Sequence, residues 1–422
     1  MMELDARVNL VVCQKSKVQD WLDHFELYQH EYTNANMIYD LTDKNGLEAF
    51  LHVVSDKGYW YRIIGIINYD LLWRRSELQK LQDFTLLLDE SSLIQNETAK
   101  RSKFILKMQA KNVILLSGTP TGGKYETLWS QMHLLGWPIT KQMYWNQYVN
   151  VEYLDTVGRS IPIVTGYKNV DRLKRKMQQY GCQFLKTDEV FDLPAQNFQK
   201  VYIPTSKEYK KFRKDKYISI KALNPFCEYT EKDKTANSDF YGKDVTPIVE
   251  LVGDTTLTRM LYERQLCGMY SHEKLKAFED LVESTNDRLI VFYNFTAELD
   301  LMQSRLVGMF GEYETARRCS IVNGKIKALK SYEQYEDSIT FIQYQAGAMG
   351  LNLQKASRMV FYTLPLSSEL YEQAKKRIHR IGQEKPCFYY QLICKGSIEE
   401  KILATLEKRK DFTEKLFERM EE

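Results

Sequence analysis

The chain has 422 residues, 44% of them hydrophobic and 27% charged, with a formal net charge of +3. That length suits two domains that each bury a core, and the composition excludes a disordered or fibrous protein. No apolar run approaches the roughly 18–20 residues of a membrane-spanning helix. The leading MMELDARVNL carries acids where a signal peptide needs bases, and the 7 cysteines form no C-x-x-C pair. A zinc site and a disulfide framework are thereby disfavoured, and a reducing setting, cytoplasm or nucleoid, is the expectation.

In chain order, VNLVVC (8–13) is the first buried-strand run. Ser16 is predicted to start a helix with Gln19 as its capping-box partner, and Val18, Trp21, Leu22 and Phe25 share one face. RIIGII (62–67), FTLLLDE (84–90) and NVILLS (112–117) repeat the strand pattern. Continuous apolar strands separated by helices imply a parallel sheet covered on both faces. Residues 196–270 break the rhythm: KEYKKFRKDK (207–216) reads as a helix, 224–247 as a polar loop or insertion, and LTRMLYERQLCGMY (257–270) as a helix again. RLIVFY (288–293), ITFIQY (339–344) and RMVFYT (358–363) then resume the strands. Ser397 and Glu400 predict a second capping box, opening a charged helix that carries Ile402, Leu406, Leu416 and Met420. The expected fold is α/β, with lobes over 1–195 and 271–396, a linker with an insertion over 196–270, and a closing helix over 397–422.

Three stretches carry chemistry. A parallel strand ending in Asp89-Glu90 puts two carboxylates at the carboxyl edge of a sheet, where α/β ligands bind; solvated strand-end acids are the plainer alternative. ELYEQAKKRIHRIGQ (369–383), taken as one helix, aligns Leu370, Tyr371, Ala374, Ile378 and Ile381 in an apolar stripe. Gln373, Arg377 and Arg380 fall on a neighbouring face, suited to a phosphate or carboxylate, or simply to a basic surface. NVILLSGTPTGGKYETLW (112–129) has the G-x-x-x-x-G-K spacing of a phosphate-binding loop from Gly118 to Lys124, but Tyr125 stands where a hydroxyl should hold Mg²⁺. The basic runs DRLKRK (171–176) and KEYKKFRKDK are either solvated helix faces or contacts to a phosphate backbone.

Taken in order, these segments resemble the Swi/Snf-type branch of superfamily-2 helicases, which are ATP-driven translocases on double-stranded DNA. VVCQKSKVQDW resembles motif Ia, IINYD motif Ib, LLLDESSLIQNETAKRSK motif II and LLSGTP motif III. GYKNVDRLKRK and FLKTDEVFDLP resemble the end of the first lobe, VFYNFTAELD motif IV, QAGAMGLNLQKA motif V, RIHRIGQ motif VI, and GSIEEKIL the brace. The resemblance implies two RecA-like lobes with ATP bound between them, and Mg²⁺ and duplex DNA as its other ligands. It implies that Asp89 holds Mg²⁺ and Glu90 activates water. Arg377 and Arg380 become arginine fingers supported by Gln373, and Gly350 joins the nucleotide contacts. Ser117, Gly118, Thr119, Gly347 and Asn352 couple nucleotide to DNA. By place in the chain, 112–129 is then motif III and not a phosphate loop.

Two departures stand out. The family's D-E-A-H box reads D-E-S-S here, with Ser92 in the histidine position. No G-x-G-K-[ST] precedes VNLVVC, so an upstream or partner segment is expected to supply the phosphate loop, and the first sheet is expected to lack a central strand and expose an edge. Two readings follow: a DNA-stimulated ATP hydrolase, or a non-hydrolysing DNA-binding or regulatory descendant. A kinase using GTPTGGK is a third, which leaves the acid pair and RIHRIGQ unexplained. Without reader or nuclease domains, the chain resembles compact bacterial and bacteriophage members.

Overall fold

A computed structural model describes residues 4–27, 36–56, 58, 61–118, 120–156, 159–183, 192–221, 248–347 and 350–417. The chain divides into two units, Met1–Leu185 with Lys408–Glu422, and Lys186–Glu407. Among the described residues no helix is long and apolar enough to cross a membrane.

The first unit is built on strands β1 (Val8–Cys13), β2 (Asn36–Asp40), β3 (Arg62–Asn68), β4 (Phe84–Asp89) and β5 (Asn112–Leu116). They form one parallel sheet in the order β2-β3-β1-β4-β5. The two-residue period of a strand sends alternate side chains to opposite faces. Val8, Leu10 and Val12 join one core with Phe50, Ile63, Ile67, Leu86 and Leu88. Val11 and Cys13 join the other with Phe25, Ile64, Ile66 and Leu87. This two-sided burial is why β1 needs an unbroken apolar run, each large side chain contributing roughly 1.5–3 kcal/mol.

Among the described residues the five strands pair without a gap, with β1 at the centre, hydrogen-bonded to β3 and β4. The expected edge does occur, on β5, whose five residues are half-buried to exposed although the sequence reads as a buried run. The first capping box is corrected. The helix Val18–Leu27 follows a 3₁₀ turn at Lys15–Lys17, and Gln19 Nε2 donates to Asp23 instead.

An antiparallel hairpin, β6 (Val149–Thr156) and β7 (Arg159–Tyr167), follows in the same unit, where no strands were expected. Beside it, Tyr125, Met132, Trp137, Tyr144, Tyr148 and Leu173 make a separate aromatic core.

The second unit starts with β8 (Gln196–Ile203), and β9 (Tyr217–Lys221) and β10 (Ile248–Val252) pair antiparallel. Then come β11 (Leu289–Tyr293), β12 (Cys319–Val322), β13 (Lys327–Ala328), β14 (Ile339–Gln343), β15 (Arg358–Phe361) and β16 (Cys387–Cys394). Seven of these strands form a sheet in the order β13-β12-β14-β11-β15-β16-β8, parallel except for β13. Residues 196–203, read from sequence as linker, thus supply an edge strand in register with β16.

The C-terminal helix Ile398–Phe417 buries Ile402, Leu403 and Leu406. Its start differs from the predicted box: the Ser397 hydroxyl accepts from the Glu399 amide, and Glu399, not Glu400, reaches back to the Cys394 amide. The side chains of Leu416 and Met420 lie outside the described residues.

Candidate functional site

β4 delivers Asp89 at its carboxyl end, and Glu90 follows in the left-handed region (φ 56°, ψ 58°) before a 3₁₀ turn over Ser91–Ile94. For a residue other than glycine that backbone costs roughly 1–2 kcal/mol. Two side chains from elsewhere in the unit hold the bend. The Trp21 indole Nε1 donates to Asp89 Oδ2 at 3.0 Å. The Tyr69 hydroxyl donates to the Asp89 carbonyl at 3.0 Å and to the Glu90 carbonyl at 3.4 Å. Burial, reinforced by the Asp89 charge, pushes the Tyr69 phenol well above its ordinary value, so it stays a donor. The same two causes push the Cys13 thiol up to about 12, leaving it neutral beside the acid.

The acid pair is joined to the following loop. Ser117 Oγ donates to Glu90 Oε2 at 3.4 Å, and Ser91 Oγ to Gln131 Oε1 at 2.9 Å. Gln131 Nε2 in turn donates to the Pro120 carbonyl at 2.7 Å, and Gln95 Nε2 to the same oxygen at 3.0 Å. Ser92 is buried in the turn. Ser117 and Gly118 lie at the mouth of this loop, and Thr119 lies outside the described residues.

The loop itself is not arranged as a phosphate cradle. The Gly123 amide donates to Thr121 Oγ1 at 3.0 Å and the Lys124 amide to the Thr121 carbonyl at 2.9 Å, so both N–H groups are engaged inside the loop. Gly123 has φ +77°, and a Cβ there would lie 2.5 Å from Arg409 Cβ, within the same unit. Tyr125 is a core residue: it stacks on Tyr167 at 4.2 Å and its carbonyl accepts from Tyr144 Oη at 2.7 Å. A hydroxyl at that position would leave a hole in the aromatic core.

In the second unit the structure corrects the long helix expected over 369–383. The helix runs only Ser368–Lys375, capped by Ser367, and residues 376–382 are turns. Leu370, Tyr371, Ala374 and Ile378 pack into the core as expected, whereas Ile381 is 60% exposed. Gln373 is buried at the end of the helix, its Oε1 without a partner among the described residues. Arg377 and Arg380 follow in the turns, placed by backbone contacts and not by one helical face. The Leu353 amide donates to the Arg377 carbonyl at 3.1 Å, and Arg380 Nη1 donates to the Leu351 carbonyl at 3.4 Å. Gln383 Nε2 closes the junction on the carbonyls of Gln354, Ala356 and Ile378. The segment carrying Gly350 (φ +67°) and exposed Asn352 is thus fixed to the segment carrying both arginines. Gly347 sits upstream, where a Cβ would lie 2.8 Å from the Phe292 ring.

Three residues with direct roles in this geometry went unassigned from sequence: Trp21, Tyr69 and Gln383. Trp21 reads as one apolar position among four, because a hydrogen bond across 68 residues leaves no local pattern. The tyrosine in IINYD and the terminal glutamine of RIHRIGQ were the available signals.

Comparisons with known proteins identify the family. Residues 3–268 match the SNF2-related domain, and residues 273–382 match the helicase conserved C-terminal domain. A mouse protein named SWI/SNF-related matrix-associated actin-dependent regulator of chromatin subfamily A member 1 is 22% identical over 94% of this chain and 37% of its own length. The ISWI chromatin-remodeling complex ATPase ISW1 of Saccharomyces cerevisiae is 23% identical over 93% and 34%. The chain therefore spans little more than a third of these relatives. A solved structure, the Sulfolobus solfataricus SWI2/SNF2 ATPase core in complex with dsDNA, aligns over 98% of this chain and 83% of its own at 18% identity, with a TM-score of 0.37. With one family model covering more than half of its residues and a second covering the arginine-bearing segment, the chain belongs to the SNF2-related family of helicase-like proteins.

Proposed function

We propose that the chain is the motor portion of an ATP-dependent translocase on double-stranded DNA. The observation that carries this reading is the acid pair at the end of β4, held by Trp21 and Tyr69 and joined through Ser117 to the loop that follows β5. Asp89 suits a hard divalent cation. It offers oxygen ligands, Oδ2 is anchored, and no described side chain donates to Oδ1. Mg²⁺ held there supplies neutralisation of phosphate charge. Glu90 orients and polarises the attacking water, with Ser117 steadying its carboxylate. Arg377 and Arg380 stabilise charge on the transferred phosphate, Gln373 supports them, and Gly350 contributes its backbone. Ser117, Gly118, Thr119, Gly347 and Asn352 relay nucleotide state to DNA.

The exposed faces of two helices support a phosphate-backbone partner. Val170–Gln179 buries Leu173 and Met177 and turns Arg172 and Arg175 outward. Lys207–Asp215 buries Tyr209 and Phe212 and exposes Lys207, Lys210, Lys211 and Lys214.

The test is ATP turnover with and without duplex DNA, in the chain alone and with a fragment bearing a phosphate loop, alongside Glu90→Gln and Arg380→Ala. Loss of DNA-stimulated turnover in both variants is expected, and turnover unchanged by Glu90→Gln overturns the assignment. The engaged amides of Gly123 and Lys124 favour a second reading for the chain by itself, DNA binding without hydrolysis. Salt-sensitive duplex binding with no turnover in either preparation identifies that case.

A further inference from the structure

Three hydrogen bonds from two side chains, Trp21 and Tyr69, anchor the acid pair, and the family match assigns neither residue. Trp21 lies on the helix Val18–Leu27, which packs on the sheet face that carries Val11, Ile64 and Leu87, and its ring stacks on Phe25 at 5.6 Å. That packing fixes the indole plane, and the N–H then meets Asp89 Oδ2 at 3.0 Å, in a hydrogen bond to an ionised acceptor. Tyr69 opens the short helix Tyr69–Leu72 after β3, is buried, and spans two successive carbonyls with one hydroxyl. Those carbonyls belong to the two peptides on either side of the left-handed Glu90 Cα. One oxygen of Asp89 and both main-chain oxygens of the pair are therefore held by side chains from two other strand-to-helix junctions. Among the described residues, what remains unengaged on Asp89 is Oδ1.

We propose that Trp21 and Tyr69 are positioning residues for this acid pair. The indole selects the Asp89 rotamer and leaves Oδ1 to the cation, while the phenol keeps Glu90 in its left-handed bend. The proposal rests on the reading of Asp89 as a cation ligand. Groups that orient metal-binding carboxylates typically change metal affinity by about 10–100-fold when removed.

The test uses Mn²⁺ alone as the probe, titrated by electron paramagnetic resonance, with ¹⁵N-indole spectra of the protein labelled at tryptophan. The Trp21 resonance is identified as the one missing in Trp21→Phe, or in Trp21→Tyr if the first variant does not fold. Mn²⁺ is expected to broaden that resonance selectively in the wild type and not in Asp89→Ala. Trp21→Phe is expected to weaken Mn²⁺ binding on the order of tenfold with an unchanged thermal midpoint. Tyr69→Phe is expected to speed amide exchange over residues 89–93. If Asp89→Ala abolishes binding while Trp21→Phe binds as tightly as wild type, the positioning role is wrong and the cation reading stands. Unchanged exchange in Tyr69→Phe removes Tyr69 from the proposal. If Asp89→Ala binds Mn²⁺ like wild type, the cation reading fails and the positioning proposal fails with it.

Discussion

Lys274 and Glu399 form an ion pair at 2.5 Å with side chains 0% and 2% exposed, linking the helix His272–Glu283 to the first turn of the C-terminal helix. Burial alone lowers the lysine's value, but the Glu399 charge, with the thiols of Cys394 and Cys267, outweighs it and raises the group overall. The Glu399 carboxylate also accepts from the Cys394 amide. Cys267, Cys394 and Glu399 bring three ligand-type atoms within 4.8 Å of one another. The Lys274 ammonium already neutralises that carboxylate, so the cluster is an ion pair and not a metal cage. Glu399→Gln keeps the acceptor for Cys394 but strands a buried ammonium, and is expected to cost about 3–5 kcal/mol in urea unfolding. Lys274→Met combined with Glu399→Gln is expected to recover most of that loss.

Glu298 provides a pH test. Its Oε2 accepts from the amides of Asn294 and Phe295 and from Thr363 Oγ1, while Oε1 is buried without a hydrogen-bond partner among the described residues. Burial raises the carboxyl from 4.5 to about 7, against the opposing pull of those amides, Lys274 and Thr363. The folded state therefore holds a proton that the unfolded state has released. The resulting stability is complete below the unfolded value near 4.5 and is lost as pH rises through about 7. The loss is on the order of 3 kcal/mol. Urea midpoints at intervals from pH 5 to pH 8 should fall for the wild type more steeply than for Glu298→Gln, which cannot ionise.

Gln383 is buried, and its amide serves three carbonyls from two segments. Gln383→Leu leaves those oxygens unpaired at a cost of about 1–3 kcal/mol. Hydrogen exchange read by mass spectrometry should accelerate over residues 350–358 and 376–382 together, while the remaining strands of that sheet keep their protection. Equal exchange in both proteins would show that Gln383 does not hold the junction.

Gly123→Ala tests what the glycine in the imitation phosphate loop is for. Positive φ and the Arg409 backbone both stand against a side chain there. The substitution is expected to cost about 1–3 kcal/mol and to open the chain beyond residue 408 to limited proteolysis. Lys124→Ala is expected to leave nucleotide affinity unchanged, measured by equilibrium titration in the same preparation.

Much of this was written into the sequence, for identifiable reasons. Strands β1, β3 and β4 are buried on both faces, so they must be continuous apolar runs, and such runs can be read one residue at a time. β2, with its Asn36 and Asp40 ends, and β8, exposed over most of its length, lack that signature and owe their state to neighbours. The β6–β7 hairpin was missed because its residues mix Asp, Glu and Pro with the apolar ones and show no clean alternation. The overlong helix expected at 369–383 had the opposite cause. Its residues favour a helix, but the contacts of Arg377 and Arg380 with the 350–356 segment hold the chain in turns beyond Lys375. The acids of β4 were legible because a strand end fixes where they emerge. Their anchors were not, since Trp21 and Tyr69 reach Asp89 only once the sheet is assembled.

The left-handed Glu90 has a consequence for how the chain can change over generations. Glycine at that position would relieve the backbone strain and make the bend easier to form, while asparagine would suit it better than most side chains. Folding alone therefore pulls position 90 away from glutamate. A descendant released from any need for this carboxylate can become more stable by a single exchange, and Glu90→Gly measured for stability and turnover together is expected to gain the first and lose the second. Drift at one residue, in the direction that thermodynamics favours, is enough to remove this carboxylate from the site.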